Sequence, residues 1–286
     1  MKFLPFAAVL LLIGCNGHPD SIYETDKSDT TQYNTNSVDT TLENEVLLTS
    51  DFVNDGEVLK DVHLFYCNVG IYQEPALMII EEEVTDEING DGDYAEVKGY
   101  YYYVKNQKNL DVEGGLDIIN GQYMLSESYK GKSSGYMQFS TNDFGKDFWS
   151  VSKDDKDQQE FNFHKIEPKD EEARSFTIKK QKYVDKHQVQ DMSLEEEVFE
   201  EVEDKLAMVF IDDDKMIFDY SVVRGNFHTG GADGMAYKNT DGNYIFNGEE
   251  GCELTFVVGE DNVEVSENNC GYYHGARARL DGSYSK

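Results

Sequence analysis

Through most of this chain apolar and polar residues alternate with a period of two. That period places one face of a strand inside and the other outside. Residues 98–104, centred on Gly99-Tyr100-Tyr101-Tyr102-Tyr103, have the aromatic character that suits a pleated, half-buried surface. Similar short segments follow at 110–118, 122–129, 135–140, 148–151 and 160–166. Turn-forming clusters separate them at 106–109, Asn120-Gly121, 130–133, 142–146 and 154–157. Evenly spaced short strands with turn chemistry between them predict an antiparallel barrel or sandwich. Gly114-Gly115 inside a strand pattern predicts a bulge or sharp bend. Upstream, the apolar runs at 59–72 and 76–80 predict the opening strands.

Residues 167–190 are charged and read as a connector. Beyond it Leu194, Val198, Val202 and Leu206 recur every four residues, with Phe199 beside them. Ser193, with Glu196 three positions on, has the form of a capping box. The spacing predicts a helix over 194–206 with a solvated acidic face. Strand patterning returns at 207–211, 216–223, 234–238, 244–246, 252–258, 262–266 and 276–280. Asp212-Asp213-Asp214, 240–243 and 259–262 supply turns. The expected fold is mainly β: two antiparallel β modules of meander barrel or sandwich type, with one short helix between them. The expected divisions are a signal peptide at 1–14, a lipidated flexible linker at 15–45, a β-meander domain at 46–168, a connector with the helix at 169–206 and a small C-terminal β domain at 207–286.

The N-terminus breaks the pattern. Lys2 precedes an apolar run ending at Ile13, and Gly14-Cys15 follows. The run is too short to span a bilayer and has the form of a removable targeting segment. Leu12-Ile13-Gly14-Cys15 looks like a lipobox, which implies that the Cys15 thiol receives lipid and that the chain is cut before it. Each buried CH₂ of such an anchor contributes about 0.8 kcal/mol. The expected location is lipid-anchored in the bacterial cell envelope, at the outer membrane. Residues 16–45 are rich in Asp, Thr, Asn and Ser. They lack the apolar surface needed to order themselves and read as a tether. Triplets starting at Asp20, Asp29 and Asp39 resemble the O-glycosylation sites of the Bacteroides group, making Ser21, Thr30 and Thr40 candidate acceptors. An Asp- and Thr-rich segment also generates such triplets by chance.

Charge narrows the partners. The 286 residues carry 57 acidic against 25 basic side chains, a formal net charge of −32. Nucleic acid is excluded, because phosphate binding needs a basic surface. Cationic partners or divalent ions are favoured instead. Three cysteines remain beyond Cys15, and the envelope is oxidising. Cys252 and Cys270 lie close in sequence, flank a strand pair and are expected to bond. Cys67 is then expected to be a buried thiol that packs as a small apolar residue.

No catalytic motif survives its structural context. Gly131-Lys132-Ser133-Ser134-Gly135 has the spacing of a nucleophile elbow, which requires a helix after it. Residues 136–139 alternate as a strand, so Ser133 reads as part of a hairpin turn. The same Gly-Lys-Ser has Ser126 where a phosphate loop needs glycine. Asn89-Gly90-Asp91-Gly92-Asp93 has calcium-loop composition, yet Lys98 falls where the twelfth-position Glu belongs, and a β-turn is the simpler reading. Weak divalent binding there or at 212–214 stays open. The six histidines have no zinc spacing, and no cofactor is expected. Trp149, the single Trp, is expected in the core. A glycan-active enzyme with unmarked carboxylates remains an alternative, since 57 acids hide any pair.

One region carries a resemblance. His228-Thr229-Gly230-Gly231-Ala232-Asp233-Gly234 begins it, Cys252-Glu253-Leu254-Thr255-Phe256 continues it, and Cys270-Gly271-Tyr272-Tyr273-His274-Gly275-Ala276-Arg277-Ala278-Arg279-Leu280-Asp281-Gly282-Ser283-Tyr284 ends it. Together they resemble a small Cys-containing β module of bacterial envelope proteins, sometimes appended to lysozyme-inhibitor-like domains. The module has Cys after His-Thr, where this chain has Gly230-Gly231, and Cys where this chain has His274. Loss of both implies that those two were bonded to each other, which leaves Cys252–Cys270 as the retained bond. The 97–166 meander loosely resembles β modules of Bacteroides-type envelope lipoproteins of unknown function.

Arg277 and Arg279 are two of only four Arg and alternate on one predicted strand, so both face one side. With Tyr272, Tyr273 and His274 they form the candidate binding surface for an anionic glycan or a protein carboxylate. Pairing with neighbouring acids is the alternative. The expected function is a membrane-anchored, non-catalytic binding or structural module whose partner is an envelope protein or glycan. The first alternative is an inhibitor of a cationic lysozyme-like enzyme, steered by the acidic charge.

Overall fold

Period-two patterning yields strands throughout the computed structural model, which describes residues 56–69, 73–83, 94–142, 147–150, 158–169, 175–191, 198–275 and 277–286. Cys15, Ser21, Thr30, Thr40 and the acidic loop 89–93 lie outside the described residues. The strands form two antiparallel sheets of nine. In hydrogen-bonded order the first holds β10 (Asn162–Ile166), β2 (His63–Val69), β3 (Glu74–Glu83), β4 (Tyr94–Tyr103), β5 (Lys108–Asp117), β6 (Gln122–Tyr129), β7 (Lys132–Ser140), β8 (Phe148–Ser150) and β9 (Gln159–Glu160). Phe161 alone separates β9 from β10, and β10 pairs with β2. The sheet therefore curls back onto its first strand as a nearly closed barrel, which leaves few unpaired edges. The second sheet holds β1 (Glu57–Lys60), β11 (Ser175–Asp191), β12 (Val198–Ile211), β13 (Lys215–Arg224), β14 (His228–Lys238), β15 (Tyr244–Asn247), β16 (Glu253–Val258), β17 (Asn262–Asn268) and β18 (Gly282–Ser285), and forms a half-barrel. Among the described residues no helix is long and apolar enough to cross a membrane.

Three apolar clusters hold this arrangement together. Phe65, Met78, Tyr101, Leu125, Phe139 and Trp149 belong to the cluster of the first sheet. Met208, Phe218, Phe246, Leu254, Phe256 and Val265 belong to that of the second. The third joins the sheets: Leu64, Leu77 and Ile79 meet Ile178, Val209 and Ile217. β2 and β3 are therefore buried on both faces, and their sequences read as continuous apolar runs rather than as alternation. Trp149 and the Cys67 thiol are buried, as expected.

The helix expected at 194–206 does not form over its described part, because Val198–Ile211 is one strand. A spacing of four is also two strand periods, so Val198, Val202 and Leu206 lie on one face of β12 as readily as on a helix. Pairing with β11 in unbroken register from Ile178↔Ile211 to Asp191↔Val198 decides the matter. Fourteen strand pairs supply more than one capping box and a few i, i+4 contacts. From Ser175 on, the charged stretch expected as a connector belongs to β11, the longest strand among the described residues. At the other end β1 leaves the first module and pairs with β11.

Smaller corrections follow the backbone. There is no register shift at Gly114-Gly115; the irregularity lies at Glu127/Ser128. A Cβ on Gly114 would sit 2.0 Å from Met124 O, so this glycine permits a close approach of neighbouring strands. The hairpin turn before β7 is Lys130-Gly131, both at positive φ, and Ser133 lies in the strand. Residues 277–280 form no strand. The turns at 212–214 and 240–243 fall between strands as expected, and the one at 259–262 ends on the first residue of β17.

Candidate functional site

The C-terminal motif is pinned rather than protruding. Cys252 and Cys270 are bonded, with Cα atoms 4.3 Å apart, and tie the start of β16 to the residues after β17. A link across a sequence separation of 18 contributes about 3 kcal/mol by the loop-entropy argument. After Cys270 the chain lies against β14. Gly231 N donates to Tyr273 O at 3.0 Å, Gly275 N donates to Thr229 O at 3.3 Å, and Gly230 faces His274 across an isolated antiparallel bridge.

The candidate residues divide on this frame. Tyr272 is 63% exposed. Tyr273 packs edge-on against Phe246, and its hydroxyl accepts from Glu249 N at 2.9 Å. His274 Nε2 meets Glu267 Oε2 at 3.2 Å. Arg279 Nε meets Glu267 Oε1 at 3.0 Å and Arg279 Nη2 meets Asp281 Oδ2 at 2.7 Å. Arg279 is thus paired internally, as the alternative held. Arg277 is exposed and makes no ion pair among the described residues. Ala278 and Leu280, which alternate with the two arginines, are buried, so the period-two exposure survives in irregular backbone. Glu267, which also accepts from Leu280 N at 2.8 Å, is the hub that single-residue reading missed. One Glu among 57 acids gives no local signal.

A second polar cluster sits where β12 and β13 part company. Their pairing stops at Lys205↔Ser221. Val223, two residues further on, gives its N–H to Asp204 Oδ1 at 2.8 Å, and its carbonyl accepts from His187 Nε2 at 2.8 Å. Side chains therefore replace the lost ladder bonds. Asp204 is only 1% exposed. Arg224 Nη1 pairs with Asp204 Oδ2, and Arg224 Nη2 donates to Asp281 O and Tyr284 Oη, each at 3.3 Å. Tyr220 and Tyr284 share a hydroxyl–hydroxyl bond, and the Tyr220 hydroxyl also donates to Leu280 O at 2.8 Å. Burial pushes the Tyr220 phenol far up, so it stays neutral. Asp185, directly opposite Asp204 in the β11–β12 register, completes the cluster. The pocket there has a volume of about 260 Å³ and is lined by Asp185, His187, Asp204, Arg224, Ser283 and Tyr284. The sequence signal was Asp185-x-His187, two residues on one strand face. It was hidden by reading the segment as a connector.

Inside the barrel, Glu127 is 3% exposed on the inward face of β6. It accepts from the Tyr101 hydroxyl, from Ser134 Oγ at 2.6 Å and from Trp149 Nε1 at 3.1 Å. This carboxyl is fully engaged by its neighbours.

A further acid pair lies on the second sheet. Asp219 and Asp233 are cross-strand partners on β13 and β14. Desolvation, then the like charge of Asp219, pushes the Asp233 carboxyl up to about 6, against the pull of Lys105 from the first sheet. Desolvation likewise raises Asp219. An acid raised in the folded state carries its full cost above the folded value. The cost fades as pH falls from about 6 towards the unfolded value of about 4 and is absent below that. Asp233 still reaches solvent, so a cross-strand like-charge cost of about 0.5 kcal/mol is the appropriate size. Asp233→Asn is expected to raise the melting temperature by about 1–2 °C at pH 7.5 and to leave it unchanged at pH 3.5. Thermal melts of both proteins across that range check this; a gain that persists at pH 3.5 would contradict it.

Comparison of the chain with protein-family models, with curated proteins and with solved structures finds no match.

Proposed function

We propose that this chain is a lipid-anchored protein of the bacterial cell envelope that acts by binding rather than catalysis. The loop from Tyr272 to Arg279 is its contact surface. The observation that carries the reading is the state of that loop. It is held to β14 by backbone bonds while it presents an exposed aromatic ring at Tyr272 and, at Arg277, an exposed guanidinium with no ion pair among the described residues. Preorganised aromatic and Arg side chains are the groups that anchor interfaces, because little entropy is lost on docking. A guanidinium forks onto carboxylates, so the partner is a carboxylate-bearing envelope glycan or protein. Non-catalytic action is supported by how the interior acids are used. Glu127, the acid inside the barrel, is spent on internal donors.

The likeness to the Cys-containing envelope module gains support from one geometric fact. A Cβ on Gly230 would lie 2.8 Å from the His274 Cβ. The two positions that carry cysteines in that module thus face each other at close range here.

The test starts from cells making the full chain with and without Cys15→Ser. The change is expected to move the protein from the membrane to the soluble fraction. Detergent-solubilised wild type then serves as bait for envelope extract and for lysozyme, beside Tyr272→Ala and Arg277→Ala. Loss of a captured glycan or protein in both variants supports the contact surface. Salt-sensitive capture of lysozyme that both variants retain would point instead to attraction between a cationic enzyme and the acidic body. Retention of every captured partner by both variants would remove the loop from the proposal.

A further inference from the structure

We propose that Asp185, His187 and Asp204 form a binding site for a borderline divalent cation of the Zn²⁺ type. The inference is independent of the contact loop. It begins with the tautomer of His187. Nε2 lies 2.8 Å from Val223 O, and a carbonyl only accepts. Nε2 therefore carries the hydrogen, and Nδ1 of the neutral ring is left with a bare lone pair. That Nδ1 is buried and has no hydrogen-bond partner. Asp185 Oδ2 lies 3.7 Å from it, a second acceptor facing the first. One ligand atom from each of Asp185, His187 and Asp204 can be chosen so that all three lie within 4.8 Å of one another.

Structural roles account for only part of this set. Asp204 and His187 Nε2 satisfy the ends of Val223. Neither Nδ1 nor Asp185 supports any other element; among the described residues the Asp185 side chain makes no further ion pair or hydrogen bond. Two acceptors turned toward each other beside a buried carboxylate repel unless a proton or a metal cation lies between them. Charge gives the same answer. Asp185 and Asp204 carry two negative charges, and Arg224 returns only one. One negative charge is left to be met at the pocket.

The donor chemistry selects the ion. One imidazole nitrogen with two carboxylates suits borderline cations, whereas Ca²⁺ takes oxygen alone. Zinc holds such ligands tetrahedrally at about 2.0–2.2 Å, so two of them lie roughly 3.4 Å apart. The spread here closes with a small swing of Asp185, an exposed side chain on β11. The ring N–H held by a backbone carbonyl is the arrangement that commonly fixes the tautomer of a metal-binding imidazole. The pocket supplies an entry path and room for the water ligands that complete the shell.

The test titrates Zn²⁺ into the full wild-type chain by isothermal calorimetry, beside His187→Gln and Asp185→Asn. His187→Gln keeps an N–H donor for Val223 O but has no Nδ1. Asp185→Asn alters an exposed side chain on which no other element depends, so it reports even if the first variant is poorly folded. Asp204 is left intact because it holds Val223 and Arg224. The expected result is one saturable Zn²⁺ per chain, weakened at least tenfold by each substitution, and no comparable site for Ca²⁺. Equal Zn²⁺ affinity in wild type and both variants, or no saturable binding to wild type, would overturn the proposal.

Discussion

Glu127→Ala is expected to lower the stability of the protein by about 4 kcal/mol, the largest effect of any single substitution considered. The residue accepts from Tyr101, Ser134 and Trp149 in the barrel interior. Truncation strands the Trp149 indole N–H and leaves the Tyr101 hydroxyl with only its bond to Tyr103. Each orphaned buried donor costs about 1–3 kcal/mol, and the vacated volume adds to that. For a chain of this size the melting temperature should fall by about 10 °C. Glu127→Gln keeps one acceptor oxygen and the volume, and should recover about half of the loss. Trp149 is the only Trp, so its fluorescence reports on this network alone. A loss under about 1 kcal/mol with unaltered Trp149 emission would show that the carboxyl is not what holds the three donors. Gly135 belongs to the same argument. A Cβ there would meet Glu127 Oε2 and Trp149 Nε1, each at 2.9 Å, so the glycine makes room for the network.

Asp204→Ala is expected to cost about 3 kcal/mol through a different route. It leaves the Arg224 guanidinium without its carboxylate and Val223 N–H without an acceptor. Breaking one side of a buried pair costs about 3–5 kcal/mol. The lower end applies because the Arg224 side chain is one quarter exposed and regains some hydration. Arg224→Ala alone should cost less, since Asp204 keeps its bond to Val223. In the double variant the losses should fall short of the sum by about 1–2 kcal/mol, the coupling of the pair. Denaturant melts of the four proteins measure this. Strict additivity would mean that the two groups do not act on each other.

Much of the fold could be read from the chain because its local signals agree with one another. The aromatic meander from β4 to β7 needs only alternation and the Asn120-Gly121 and Lys130-Gly131 turns, and both are local properties. The bond between Cys252 and Cys270 was likewise legible, because the two lie at matching ends of one strand pair. The candidate sites were harder to read. Tyr272 and Arg277 were named by type and spacing, and both are exposed. Arg279 was named on the same grounds and is held by Glu267 and Asp281, which only the folded loop brings to it.

What the sequence determined alone, then, was the mainly β character, several of the turns among the described residues and the disulfide, because each rests on contacts between near neighbours. Tertiary structure decided the rest. A four-residue spacing fits one face of a strand as well as of a helix, and only fourteen pairs with β11 made residues 198–211 a strand. The same pairing set Asp185 against Asp204, and the divergence of β12 from β13 drew in His187 and Arg224. Those partners are separated by up to 39 positions along the chain, counted from Asp185 to Arg224. Their juxtaposition is a consequence of register, and register is fixed by the buried faces of both strands together.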